Sequence, residues 1–167
     1  MATGYRYRCD TCRRESTAQP LRVRYYLLAD GSHIPLSADL GWCGECEKVV
    51  AIEFLPELPH LLAHLESLTA SRGEAVMPGD RLEKSRQNTL HEIAWRRDRR
   101  SDPRCLECGG TEIASLGWAT DRLVESFPHA GCDGVLRLEE IVRLTQASFD
   151  RYSSEGLLID RRSLPPS

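Results

Sequence analysis

Cys9-Asp10-Thr11-Cys12 and, further along the chain, Cys43-Gly44-Glu45-Cys46 are the stretches that decide how this sequence folds. Each places two cysteines on what can be one tight turn, so that both thiolates reach the same metal ion at about 2.3 Å. A second such turn completes a tetrahedron of ligands. We call each pair of ligands on one turn a knuckle, and we assign these two knuckles to one closed four-cysteine site.

A second set of ligands follows, with Cys105 and Cys108 as one knuckle and His129 and Cys132 as the other. Gly109, after the second thiolate of the first of these knuckles, permits the positive φ that turns backbone N–H groups toward sulfur. Because seven is an odd number, disulfides would leave at least one cysteine unpaired. Two four-ligand sites, one of which includes an imidazole, use all seven cysteines. The sequence therefore predicts two structural Zn²⁺ ions. The alternative for His129 is a solvent-facing loop histidine beside an open or water-completed site.

Other uses of these cysteines are scattered buried thiols or redox dithiols. A redox dithiol favours the junction of a strand with a helix, and one pair would be expected, whereas the pairs here recur along the chain. Spacing does not separate zinc from iron in the four-cysteine site, because a tetrahedron of thiolates accepts either metal.

Composition limits the classes of function. With 167 residues, each metal-binding segment is small for an apolar core of its own, so the ion must supply folding energy, on the order of 10 kcal/mol. The net charge of −3 gives no general attraction to nucleic acid or to an anionic membrane. The N-terminus lacks an apolar signal segment and no run is long enough to span a bilayer, so we expect a cytoplasmic protein with no membrane partner.

The first third of the chain has the pattern of a small antiparallel sheet. Residues 21–27 begin with the alternation of a half-buried strand, Asp30 and Gly31 form a turn signal, and 49–55 are a further strand candidate. Together with Cys9, Cys12, Cys43 and Cys46 this order resembles a zinc ribbon. The zinc ribbons are a fold group found in transcription, translation and adaptor proteins, so the resemblance implies a scaffold and leaves the activity open.

Two helices are predicted next. Five leucines from Leu58 to Leu68 follow helical spacing, and Asp80 with Glu83 resembles a capping box that starts a helix continuing to about Arg100. After Cys105 and Cys108, 113–118 and 124–127 indicate a strand and its return, and 135–138 indicate a further strand. Residues 139–152 favour a helix, with a strand as the alternative. The predicted fold class is α+β, with two small zinc-ribbon-like antiparallel β modules joined by helices.

The predicted divisions follow from these patterns. They are a four-cysteine zinc ribbon over 1–56, a connector of two helices over 57–102, a zinc ribbon with three cysteines and one histidine over 103–155, and a frayed tail over 156–167.

Basic residues gather at two places, around the first knuckle with two tyrosines and near the end of the second helix. Aromatic faces stack on bases while arginines neutralise phosphates. Around the first knuckle we favour the alternative, a short first strand with the tyrosines packed beside the metal and the arginines in water. The candidate contact residues for nucleic acid or for a partner are Tyr5, Arg6, Tyr7, Arg8, Arg13, Arg14, Arg96, Arg97, Arg99, Arg100 and Arg104.

Three classes of function are compatible with the sequence. The first is a non-enzymatic zinc-binding protein that acts through protein–protein interaction, as a complex subunit, an adaptor or an inhibitor or immunity-type partner. The second is a nucleic-acid-binding zinc ribbon. The third is a metal-dependent enzyme with an open site at His129 or at His60 and His64, which lie one helical turn apart. We rank them in that order, and the sequence predicts no oligomeric state.

Overall fold

The computed structural model describes residues 2–70, 79–116, 125–144 and 148–163. The predicted strand residues Trp118 and Val124 lie outside these ranges. The elements of the first half are β1 (Ala2–Cys9), β2 (Glu15–Ala18), β3 (Arg24–Leu27), β4 (His33–Pro35), β5 (Ala38–Cys43) and β6 (Lys48–Glu53). The elements of the second half are α1 (Leu58–Ala70), α2 (Gly79–Asp98), β7 (Ile113–Ser115), β8 (Ser126–Pro128), β9 (Val135–Leu144), β10 (Ser148–Ser153) and β11 (Leu158–Ser163). The protein belongs to the α+β class, as predicted.

Three sheets make up the described strands. The first has the order β2-β1-β9-β8 and is antiparallel throughout. The second has the order β11-β10-β3-β4, in which β10 runs parallel to β3 and the other pairs are antiparallel. The third has the order β6-β5-β7 and is antiparallel. Each sheet therefore combines strands from before α1 with strands from after α2.

The predicted hairpin around Asp30 and Gly31 is present as β3 and β4. Both predicted helices are present as well, and α1 packs on α2 with Leu61 and Leu68 buried. The leucine stripe of α1 thus has a partner within the chain, which is the expected fate of an amphipathic helix face.

Two predictions about the C-terminal region are wrong. Residues 139–152, predicted as helix, lie mainly in β9 and β10, because β9 pairs with the whole length of β1, from Ala2↔Leu144 to Cys9↔Leu136. Pairing with a long partner strand overrides the local helix preference of this glutamate- and leucine-rich segment. Residues 158–163, predicted as part of a frayed tail, form β11 and pair with β10.

Strand β6 lies at the centre of the molecule. Its sequence is a continuous apolar run, which is typical of a strand that is covered on both faces. The side chains of Val49, Val50, Ala51 and Ile52 are all 3% exposed or less. Val49 and Ala51 lie on one face of the strand and pack in two different clusters, whereas Val50 and Ile52 lie on the opposite face and pack with Cys43 and Cys105. The apolar clusters of the protein thus meet at this strand.

A buried ion pair lies at the last residue of β6. Both carboxylate oxygens of Glu53 accept hydrogen bonds from Arg99, at 2.9 and 2.6 Å, and both side chains are fully buried. Tyr26 donates to the same carboxylate at 2.8 Å, and the backbone N–H of Arg104 donates to it at 2.8 Å. Burial, with the Glu53 carboxylate, raises the pKa of Tyr26, so the phenol remains a donor. Glu53 therefore joins β6 to β3, to the residue that follows α2, and to the loop before Cys105.

Candidate metal centres

The first group of candidate ligands consists of Cys9, Cys12, His129 and Cys132, whose ligand atoms lie within 4.8 Å of one another. The sulfurs of Cys9 and Cys132 are 3.5 Å apart. The Nδ1 atom of His129 lies 3.0 Å from the sulfur of Cys132 and 3.4 Å from that of Cys12. These spacings suit four ligands around one ion, since two sulfurs bound at about 2.3 Å in a tetrahedron are about 3.8 Å apart.

The pairing of β1 with β9 builds this first group. Cys9 ends β1, and the turn after it closes through hydrogen bonds from Arg13 N to Cys9 O and from Cys9 N to Arg14 O. Asp10 links the two knuckles directly, because its N–H donates to Val135 O at 3.0 Å and its carboxylate accepts from Val135 N at 2.9 Å. The sequence analysis missed this role of Asp10.

His129 is held so that its Nδ1 atom faces the thiols. Its backbone N–H donates to Gly134 O, and its ring meets Trp42 edge-on with centroids 5.0 Å apart. The side chain is 3% exposed, and its buried Nε2 atom has no hydrogen-bond partner among the described residues. The structure thus brings His129 to the three cysteines through Nδ1, which is an arrangement for coordination rather than for a solvent-facing loop histidine.

The second group consists of Cys43, Cys46, Cys105 and Cys108. The sulfurs of Cys43 and Cys108 lie 3.7 Å apart, and those of Cys46 and Cys105 lie 3.8 Å apart. All seven cysteines are free of disulfides. The sulfur spacings match the edge of a tetrahedral site and are far longer than a disulfide bond of about 2.0 Å.

Backbone N–H groups point at the sulfurs of the second group. Cys46 N donates to Cys43 Sγ, Glu107 N to Cys105 Sγ and Gly110 N to Cys108 Sγ, each at 3.4 Å. Gly109 makes the last contact possible with a φ of 78°, a left-handed conformation that favours glycine. The predicted positive φ after the second thiolate of this knuckle is therefore confirmed.

Within each group, the pKa values of the thiols are shifted in both directions. For Cys9, burial opposes ionisation, but donation from the N–H groups of Cys12 and Thr11 lowers the pKa to about 6. Burial raises the pKa of Cys105 to about 12. A bound cation favours the thiolate at either position, so metal uptake releases protons and weakens as the pH falls.

Two buried clusters of cysteine and histidine can therefore hold metal ions. The mixed group of three thiols and one imidazole has the donor set of a structural zinc site. The four-thiol group suits zinc or iron by geometry. Each group supplies four protein ligand atoms, the number that a closed tetrahedral site requires.

The predicted division of the ligands is wrong. Cys9 and Cys12 share their site with His129 and Cys132, not with Cys43 and Cys46, and the latter pair joins Cys105 and Cys108. Local spacing defines a knuckle, but which knuckles meet depends on strand pairing between distant segments. The two metal groups are consequently interleaved along the chain instead of belonging to separate modules over 1–56 and 103–155.

The tyrosines near the first knuckle face the interior. Tyr7 is fully buried and packs on Phe127 with ring centroids 5.1 Å apart, while Tyr5 is 8% exposed. Their ring faces are not available for stacking on bases. Arg6 forms an ion pair with Glu140 at 2.8 Å, and Arg14 forms one with Glu47 at 2.6 Å.

The remaining candidate contact residues have different environments. Arg8 lies within ion-pair distance of Glu15 and Glu139, and Arg13 is exposed. Arg97 and Arg100 are also exposed, whereas Arg99 is buried against Glu53.

Two further arginines of the predicted cluster donate hydrogen bonds to backbone carbonyls. Arg96 donates to Pro56 O, and Arg104 donates to the carbonyls of Glu155 and Gly109. The predicted basic cluster at the end of α2 is therefore not one continuous surface.

His60 and His64 are exposed on α1. Among the described residues, the groups of three or more potential ligands are the two cysteine-containing ones, and neither histidine belongs to them. The described residues contain no helix long and apolar enough to cross a membrane.

Gly134 offers a local test of the first site. A β-carbon at this position would lie 2.6 Å from the Cys9 sulfur and 2.7 Å from Thr11 Oγ1, too close for either to stay in place. We expect Gly134→Ala to weaken metal binding at the first site and to cost about 1–3 kcal/mol of stability. Metal content after dialysis against a competing chelator measures the effect.

Gly44→Ala is the matched control, because its β-carbon would meet only the carboxylate end of the exposed Glu112 side chain, which can move away. Equal metal loss in both variants would contradict the placement of Gly134 against Cys9.

No protein-family model matches the chain, and comparison with curated proteins and with solved structures gave no significant match.

Proposed function

We propose that this chain is a non-enzymatic protein in which two Zn²⁺ ions stabilise the fold and a sheet edge binds a partner protein. The observation that carries the proposal is the apolar edge, which we define as Leu157, Leu158 and Ile159. Each of these consecutive side chains is 49% exposed. Leu158 and Ile159 begin β11, which Leu157 directly precedes, and β11 is an outer strand of its sheet in the described part of the chain.

An outer strand presents backbone N–H and C=O groups that can pair with another strand. Partners that recognise such an edge add an extended segment to it, with backbone hydrogen bonds for affinity and apolar contacts for specificity. The register between Arg151 and Tyr152 shifts opposite Ile159, so this residue stands at a β-bulge. Charged residues follow, with Arg161 and Arg162 in ion pairs, and these disfavour unselective pairing along the rest of the strand.

The metal groups support a structural role for the ions. A catalytic zinc keeps one coordination position for water or substrate, whereas each group here supplies four protein ligands. Each group also joins two knuckles next to antiparallel strands, which is why we propose two interleaved zinc ribbons. Seven cysteines without a disulfide suit the reducing cytoplasm.

Nucleic-acid binding is the competing function. The burial of Tyr5 and Tyr7 removes the proposed stacking residues, and the acidic partners of Arg6, Arg8 and Arg14 neutralise much of the charge beside the first knuckle. The exposed Arg13, Arg97 and Arg100 are the remaining candidates for phosphate contacts.

The test is affinity capture of the zinc-loaded protein from cytoplasmic extract, with and without nuclease, for the native chain and two variants. We expect a stoichiometric protein partner that survives nuclease and is lost when Ile159 is replaced by serine. Ile141→Ser is the matched control, because Ile141 is 52% exposed on β9 in another sheet. Recovery of nucleic acid alone, or partner binding that Ile159→Ser leaves unchanged, would refute the proposed docking edge.

A further inference from the structure

A cavity of about 380 Å³ lies beside β3 and β10, and none of the eight candidate metal ligands lines it. Its wall combines charged groups with apolar side chains, including Ala51, Leu106 and Leu158. The volume is at the small end of the range for small-molecule sites, which is about 300–1,000 Å³.

Arg24 is the unusual residue of this wall. It is 7% exposed, and its guanidinium donates to the backbone carbonyls of Gln19 at 2.8 Å and of Pro20 and Arg22 at 3.2 Å each. Its Nε atom is buried and has no hydrogen-bond partner among the residues that the structure describes. A buried cation is normally paired with an anion, because neutral acceptors do not replace the hydration it loses.

The acidic groups of the wall are already engaged by other cations. Asp150, 3% exposed, has one carboxylate oxygen 3.2 Å from Arg22 Nε and the other 2.8 Å from Arg161 Nε. Glu107 forms an ion pair with Lys48 at 2.5 Å. Three guanidinium groups and two carboxylates line the cavity, so its wall carries a surplus of positive charge.

Burial is also the main cause of a lowered pKa for Arg24, which Tyr152 and Asp150 offset only in part. Arginine nevertheless remains charged at physiological pH. Within the described part of the chain, the Nε donor of Arg24 is therefore unused, and Tyr152 and Asp150 compensate its charge only in part.

We propose that this cavity binds the oxyanion group of a small molecule, a phosphate or a carboxylate, with Arg24 and Arg22 as its cationic ligands. The planar guanidinium presents donors with the spacing of carboxylate and phosphate oxygens. The apolar side chains of the wall contact the uncharged part of the molecule. Leu158 belongs both to this wall and to the apolar edge, but an anion titration of the isolated chain tests the cavity without a protein partner.

The test follows the side-chain Nε–Hε resonance of Arg24 in the ¹⁵N-labelled, zinc-loaded chain. Inorganic phosphate and butyrate are added in separate titrations, with sodium chloride balancing the ionic strength. We expect a saturable shift of this resonance with at least one of the two anions. Saturation by phosphate assigns a phosphoryl ligand, and saturation by butyrate assigns a carboxylate with an apolar body.

Variants locate the binding. Replacing Arg24 itself would remove three hydrogen bonds to the backbone of residues 19–22, so Leu158→Glu is the better probe. Leu158 lines the cavity and is 49% exposed, and a carboxylate there competes with the added anion. We expect affinity to fall at least about tenfold.

Ile141→Glu adds the same charge at a position of similar exposure outside the cavity wall and should leave the affinity unchanged. The proposal is overturned if neither anion gives a saturable shift up to about 10 mM, or if both variants weaken binding equally.

Discussion

Replacing both Cys12 and Cys132 with serine is expected to release one metal ion per chain and to leave the other bound. Both residues belong to the first group, and Cys43, Cys46, Cys105 and Cys108 remain intact in this variant. Loss of a structural zinc site removes on the order of 10 kcal/mol of folding free energy, so the variant should lose the sheet that contains β1 and β9. Metal analysis by mass spectrometry gives the stoichiometry.

The matched variant, Cys46→Ser with Cys108→Ser, should also retain one ion. Cobalt substitution distinguishes the two variants, since the intensity of sulfur-to-cobalt charge-transfer bands rises with the number of thiolates. The first variant should keep the spectrum of four thiolates, and the matched one that of three thiolates and an imidazole.

A third variant, Cys12→Ser with Cys46→Ser, decides the pairing. These residues lie in different groups, so we expect both ions to be lost. If this variant kept one ion while Cys12→Ser with Cys132→Ser lost both, the ligands would be divided as the sequence alone suggested, and the interleaved arrangement would be wrong.

Arg99→Met is expected to lower the free energy of unfolding by about 3–5 kcal/mol, because it leaves the fully buried Glu53 carboxylate without its cation. The change would also remove the guanidinium that lies 5.5 Å from the ring centroids of Tyr26 and Trp95. Urea denaturation of the zinc-loaded chain, followed by tryptophan fluorescence, measures the loss.

Arg100→Met is the control, because the neighbouring Arg100 is exposed and a surface change of this kind stays within about 0.5 kcal/mol. Combining Arg99→Met with Glu53→Leu should recover part of the loss, since no unpaired charge is then buried. Equal stability of the Arg99 and Arg100 variants would show that Arg99 does not form the buried pair in solution.

The sequence by itself determined the features that depend on local spacing. The positions of the four knuckles, the two helices, the β3–β4 hairpin and the positive φ of Gly109 follow from neighbouring residues, because turns and helix faces are built from short-range contacts. The candidate ligand types follow as well, since seven cysteines and one histidine fill two tetrahedra.

Only the tertiary structure decided which distant segments meet. The pairing of β1 with β9 places His129 and Cys132 beside Cys9, and the pairing of β5 with β7 helps to bring together the parts of the chain that hold the second group. The same long-range pairing made strands of 139–144 and 158–163, and tertiary packing buried Arg99, which its charge alone presents as a surface residue. Strand partners are selected by the burial of whole faces across the molecule, and that selection leaves no signal in the spacing of neighbouring residues.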